Sequence, residues 1–119
     1  MKIAVTGANG FIGAALTHEL CEKGYDVRGI VRLKERSLNR NSRLEIFAVG
    51  EINNDTNWND ALKGIDVVIH LASLVHELID VSINPLADYR RVNTDGTQRL
   101  AEMSAGAGVK RLIFISTIK

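Results

Sequence analysis

Five short apolar runs punctuate the chain, and the spacers between them limit the fold more than any other feature. The runs are Lys2 to Val5, Val27 to Val31, Leu44 to Val49, Asp66 to Leu71 and Arg111 to Ile115. They are largely continuous rather than alternating, the pattern of strands buried on both faces of a parallel sheet. Two of the spacers carry a helical period. Ile12, Leu16 and Leu20, with Ala15 beside them, predict a helix over Phe11 to Lys23, stopped by Gly24. Leu86, Tyr89, Val92, Gly96, Leu100, Met103 and Ala107 step by three or four and predict a long amphipathic helix. Asp55 or Thr56 is suited to cap a shorter helix through Leu62, ended by Gly64. Leu33 to Arg43 is polar and basic and predicts a loop with at most a short helix. Strands alternating with helices, joined by right-handed crossovers, predict an α/β doubly wound parallel sheet of order 3-2-1-4-5.

The 119 residues suffice for one domain, and 45% of them are hydrophobic, enough for a sizeable core. A net charge of +1, from 15 basic and 14 acidic residues, argues against a nucleic-acid or acidic-membrane partner. No run approaches the roughly 20 apolar residues of a membrane helix, and nothing resembles a signal peptide. The single cysteine, Cys21, forms no internal disulfide and fits a reducing compartment, so a cytoplasmic location is expected. His18, His70 and His76 show no metal-ligand spacing, so no metal site is expected.

The stretch "VTGANGFIG" places Gly7, Gly10 and Gly13 directly behind the first strand and at the start of the first helix. Such a turn exposes backbone N–H groups, and the helix N-terminus adds partial positive charge, which suits a phosphate. Gly7 allows a tight turn, Gly10 lets a pyrophosphate approach the backbone, and Gly13 lets the helix sit close to the sheet. The spacing G-x-x-G-x-x-G also occurs in glycine-rich turns that hold no ligand. The strand before it, the helix after it and the α/β pattern favour the phosphate reading.

"TGANGFIG" resembles the cofactor fingerprint of extended short-chain dehydrogenases/reductases, the NAD(P)-dependent epimerase/dehydratase group. "DVVIHLAS" is similar to the family's fourth strand, and "VNTDGTQRLAEMSAGAGVKRLIFIST" to its long helix and fifth strand. The resemblance runs along the whole chain in the right order. It implies that residues 1–119 form a Rossmann-like NAD(P)-binding domain whose sheet is truncated after the fifth strand, with the substrate-binding part absent. "FISTIK", with "PLADYRRVNTDGT" ahead of it, looks most like nucleotide-sugar epimerases and 4-keto-sugar reductases of polysaccharide pathways. The implied partner is a nucleotide sugar, and the implied whole protein is a homodimer.

The resemblance assigns roles residue by residue. Gly7, Asn9, Gly10, Phe11, Ile12 and Gly13 line the pyrophosphate. Arg32 follows the second strand, where an acidic residue would favour NAD; a guanidinium suits a 2′-phosphate or stacks on adenine, and tilts the expectation to NADP over NAD. Glu51 and Ile52 stand where the family reads the adenine edge, although Glu51 serves equally well as a solvated carboxylate. Leu71, Ala72 and Ser73 close the fourth strand at the topological switch point, where small residues let the dinucleotide pass. His70 reads as a satisfied strand histidine rather than a catalytic base. Asn93 matches a buried helix asparagine that bonds main chain near the active site, and Gly96 permits close helix–sheet packing. Ser116 lies along the cofactor. Thr117 matches the hydroxyl that works with the Tyr and Lys of a Y-x-x-x-K motif.

Two features qualify the activity. Ile118 and Lys119 follow Thr117 where related dehydratases carry Asp and Glu, which disfavours water elimination. The sequence holds no Y-x-x-x-K, since Tyr25 is followed by Gly29 and Tyr89 by Asn93. The chain is therefore expected to be the N-terminal part of an epimerase or keto-reductase, inactive by itself and prone to self-association through an uncovered fifth strand. The alternative from another class is a non-catalytic dinucleotide-binding or sensing module.

Overall fold

The computed structural model describes residues 1–33, 42–53, 55–71 and 95–115. Five strands form one parallel sheet: β1 (Lys2–Thr6), β2 (Asp26–Val31), β3 (Leu44–Ala48), β4 (Val67–His70) and β5 (Arg111–Phe114). Their order is β3-β2-β1-β4-β5, the doubly wound arrangement the sequence predicts. The order reverses between β1 and β4, and every strand points its carboxyl end the same way.

The pleat sorts side chains into two cores. Ile3, Val5 and Val27 face helix α1 (Phe11–Glu22) and pack with Cys21, Leu16 and Leu20. Ala4, Ile30 and Val68 face the opposite way and pack with Trp58, Leu62 and Leu100, the last from helix α2 (Gly96–Gly106). Burying both faces explains why the central strands read as continuous apolar runs.

Two expectations change. On α1 the buried stripe is Gly13, Thr17 and Cys21, with Leu16 and Leu20 half-buried beside it, while Ile12 is 56% exposed and Ala15 is exposed. The helix lies so close to the β1 turn that only small residues fit the seam, which rotates the larger apolar side chains off it. The second change concerns residues 55–64, which form successive turns rather than a helix. Thr56 does not cap: its hydroxyl donates to the Glu51 carbonyl (2.9 Å) and accepts the Asn53 N–H (2.8 Å). Asn53 and Asn57 side chains likewise take the N–H groups of Asp55 and Asn59 (2.8 and 3.0 Å). These local side-chain bonds compete with helical ones. Gly64, at φ 76°, does end the segment.

Arg28 is a charged residue inside the second apolar run. It is only 7% exposed. Its Nε donates to Glu45 Oε1 on β3 (2.7 Å), and one terminal nitrogen donates to the carbonyls of Asp60, Ala61 and Lys63 (3.3, 2.7 and 2.9 Å). The guanidinium thus supplies donors to turns that have few helical bonds of their own, the Leu62 N–H to Trp58 carbonyl bond (2.9 Å) among them.

Within the span predicted as a long helix, Gly96–Gly106 is helical, and Leu86, Tyr89, Val92 and Asn93 lie outside the described residues. Among the described residues β5 has no neighbour on its outer side, and Ile113, Phe114 and Ile115 are 39%, 51% and 44% exposed. No described helix is long and apolar enough to cross a membrane.

Candidate dinucleotide site

The site begins where β1 ends. Gly7 takes φ 65°, a left-handed conformation that turns the chain sharply out of the sheet. The Gly7 carbonyl accepts the Gly10 N–H (3.0 Å), which closes the turn, and the first bond of α1 runs from the Ala14 N–H to the Gly10 carbonyl (2.8 Å). The N–H groups of Phe11, Ile12 and Gly13 precede that bond, so the helix gives them no acceptor. No side chain caps α1 and no acidic residue lies in its first turn, so its partial positive charge is uncompensated locally. Asn9 and Gly10 are exposed. Phe11 is 95% exposed.

The glycines divide the work. A Cβ on Gly13 would overlap the Gly7 carbonyl and stand 2.9 Å from Ala8 Cα, so this position is glycine because helix and turn touch there. Gly10 has ordinary extended backbone (φ −76°, ψ 173°), and among the described residues a Cβ there would meet only the Gly7 carbonyl, at 3.3 Å. The protein's own packing therefore constrains position 10 far less than position 13: a Cβ there needs the Gly7 carbonyl to give by a few tenths of an ångström. The turn, its free N–H groups and that open face fit a pyrophosphate.

Beside the turn, the Arg32 carbonyl accepts the Gly50 N–H (3.1 Å), which extends the β2–β3 ladder beyond the strands. This bond brings Arg32 and Glu51, both exposed, to the same end of the sheet as Gly7. Ile52 departs from the expected role: its side chain is 9% exposed and belongs to the core around Trp58, so only its backbone is left to face a ligand. Leu71 stands at the carboxyl end of β4, half-buried. Ala72, Ser73, Asn93, Ser116 and Thr117 lie outside the described residues, as do Ile118 and Lys119.

His70, at the end of β4, is 1% exposed. Its Nδ1 lies 2.7 Å from Thr6 Oγ1, its Nε2 lies 3.2 Å from Thr97 Oγ1, and its ring stacks on Phe114 at 5.6 Å between centroids. A neutral imidazole has one donor and one acceptor nitrogen, and a hydroxyl at each satisfies both. This is the satisfied strand histidine expected from the sequence. Thr6 and Thr97 had no individual signal there; both are ordinary threonines until the sheet brings them to His70.

Burial lowers the His70 pKa from 6.5 to about 4. The folded state thus holds the ring neutral where the unfolded chain protonates it. Stability should fall as pH drops from about 6.5 to about 4 and level off below, a loss on the order of 3 kcal/mol. Denaturant midpoints across that range should show the slope, and His70→Gln should flatten it. An equal slope in the variant would assign the effect to other groups.

Comparisons with known proteins agree with this geometry. The chain is 42% identical to a UDP-glucose 4-epimerase of Vibrio cholerae over 119 residues, which cover 99% of this chain and 35% of that protein. It is 31% identical to a 3-beta-hydroxysteroid dehydrogenase of Mycolicibacterium neoaurum, covering 98% of this chain and 32% of that one. Among solved structures it is similar to MoeE5 in complex with UDP-glucuronic acid and NAD, with a TM-score of 0.78 and 36% identity over 98% of this chain and 37% of that one. The chain thus spans about a third of the length of the relatives it matches. The model of the NAD dependent epimerase/dehydratase family matches residues 3–119, and with the glycine turn, the parallel sheet and its switch point in place, the chain belongs to that family.

Proposed function

We propose that residues 1–119 form the cofactor-binding part of a nucleotide-sugar epimerase or a related 4-keto-sugar reductase. The observation that carries this reading is the β1–α1 turn: open at Gly10, closed by packing at Gly13, and lined with N–H groups ahead of the first helical bond. In this reading the backbone from Asn9 to Gly13 holds the pyrophosphate, Arg32 and Glu51 take the adenosine end, and Leu71, Ala72 and Ser73 let the rest of the dinucleotide cross β4. Asn93 and Ser116 are assigned to the cofactor on the family resemblance. The nicotinamide, when bound, takes up and returns a hydride. Thr117 would hydrogen-bond the reacting oxygen, and the tyrosine and lysine that would move its proton are not among these 119 residues. Cofactor binding without sugar turnover is therefore the expected behaviour of this stretch. The similarity to a UDP-glucose 4-epimerase and to a protein solved with a UDP-sugar and NAD favours a nucleotide sugar as the whole protein's substrate.

The choice between NAD and NADP rests on Arg32. The guanidinium is exposed at the end of β2, free to reach a 2′-phosphate. Arg32→Asp should move the NADP-to-NAD affinity ratio toward NAD by at least about tenfold, since a charge-assisted bond is lost and a like charge gained. Calorimetric titration with each dinucleotide measures the ratio. An unchanged ratio would show that Arg32 does not read the 2′ position, and absence of binding to either cofactor would sink the whole proposal.

A further inference from the structure

Asn9 and Gly10 form the one Asn–Gly pair of the sequence, and the fold sets it in the β1–α1 turn. Asn9 is exposed, and among the described residues nothing bonds its side-chain amide. Asn53 and Asn57 differ. A backbone N–H holds each side-chain oxygen (2.8 and 3.0 Å), and the residue after each one carries a side chain. Gly10 has no Cβ to shield its backbone nitrogen from the neighbouring Asn9 carboxamide. One bond restrains that nitrogen, from its N–H to the Gly7 carbonyl (3.0 Å). Directly after it come the N–H groups of Phe11, Ile12 and Gly13, which the helix leaves without acceptors. The first turn of α1 carries no acidic residue. Negative charge that develops beside Asn9 is therefore stabilised, whether it belongs to a ligand or to a reaction of the chain itself.

We propose that Asn9–Gly10 is a self-modification site: the ligand-free chain deamidates at Asn9, the product no longer holds a dinucleotide, and a bound dinucleotide protects it. The Gly10 nitrogen gives up its proton and attacks the Asn9 Cγ. A bond forms between them, the Cγ–Nδ2 bond breaks, and the amide nitrogen leaves as ammonia with the proton from Gly10. Water then opens the cyclic imide at either carbonyl, giving aspartate or isoaspartate with no change of oxidation state. The deprotonated nitrogen and the tetrahedral oxyanion both carry negative charge at the start of α1, where the free N–H groups favour it. The product carboxylate stays there. It competes with a pyrophosphate for the same N–H groups and repels it, whereas a carboxylate at a helix N-terminus stabilises the fold. Binding is thus lost without loss of structure. That consequence rests on the cofactor reading above; the chemistry at Asn9 does not.

Incubating the 119-residue chain at mildly alkaline pH, with peptide mapping by mass spectrometry over time, reads the conversion. The same chain unfolded in guanidinium sets the clock. Asn9 should convert ahead of every other asparagine. NAD at about 100 times its Kd should slow it by at least about tenfold, since only the free fraction reacts. Asn9→Asp supplies the product directly and should weaken NAD and ADP alike by about tenfold or more, with the melting temperature kept. Asn9→Ser should hold its own starting NAD affinity through the incubation, while the wild type loses its affinity in step with conversion. An Asn9 that stays intact while the unfolded chain converts overturns the proposal. Conversion at one rate with NAD bound or absent also overturns it, as does an Asn9→Asp variant that binds NAD like the wild type; in both cases the cofactor reading stands. A fresh wild-type chain that binds no NAD removes the cofactor reading and this inference with it.

Discussion

Replacing Arg28 with methionine should destabilise the protein by about 3–5 kcal/mol, measured as a lower denaturant midpoint with little change in slope. Methionine keeps most of the buried stem, so lost packing is a small part of the effect. What disappears is the donor set. The carbonyls of Asp60, Ala61 and Lys63 lose the nitrogen that serves them all, and two of these bonds are short, at 2.7 and 2.9 Å. The turns of 55–64 have few helical bonds to fall back on, and they carry Trp58 and Leu62 into the core at zero exposure. Glu45 contributes less to the loss, because its side chain is 53% exposed and water can resolvate it. Its bond to Arg28 holds its carboxyl below the ordinary range, so the variant should also return that pKa toward normal. Arg28→Lys should recover only part of the stability, since one ammonium cannot reproduce a planar fork that reaches β3 and the turns together. A loss below about 1 kcal/mol in Arg28→Met, the ordinary net value of one hydrogen bond, would mean that the carbonyls find other donors.

Gly10→Val should abolish dinucleotide binding with the fold retained. The backbone at Gly10 is extended, a conformation valine adopts readily, and the nearest obstacle to its Cβ is one carbonyl oxygen at 3.3 Å. The branched side chain would fill the space over the turn and keep a pyrophosphate away from the N–H groups of Phe11 and Ile12. Gly13→Ala makes the opposite case. Its methyl would be forced into the Gly7 carbonyl and against Ala8 Cα, so α1 must lift from the turn at a cost of about 1–3 kcal/mol or more. Thermal unfolding beside an NAD titration separates the two: binding lost with melting temperature kept at Gly10, and melting temperature lowered at Gly13. NAD bound by Gly10→Val as tightly as by the wild type would remove this turn from the cofactor site.

The sequence alone determined the sheet. Continuous apolar runs at Lys2 to Val5, Val27 to Val31 and Asp66 to Leu71 can be satisfied only by strands covered on both faces, and the helical spacers leave parallel pairing as the way to cover them. The glycine turn was legible for the same reason: three glycines behind a strand are a backbone requirement, written locally. The whole-chain resemblance added the family and the roles expected of residues such as Arg32 and Thr117. What tertiary structure decided were the choices among neighbours that no local pattern encodes. Ile12, Leu16 and Leu20 have the right period for a buried stripe, but the approach of α1 to the Gly7 carbonyl handed the seam to Gly13, Thr17 and Cys21. Thr56 and Asp55 have the chemistry of a helix cap, but Thr56 spends its hydroxyl on Glu51 and Asn53, and Arg28 collects the carbonyls that follow. Thr6, His70 and Thr97 are far apart along the chain and join only because the parallel register sets Thr6 beside His70 and α2 returns over them. A hydrogen bond needs two groups within about 3 Å, and for residues this distant in sequence that proximity is a property of the fold.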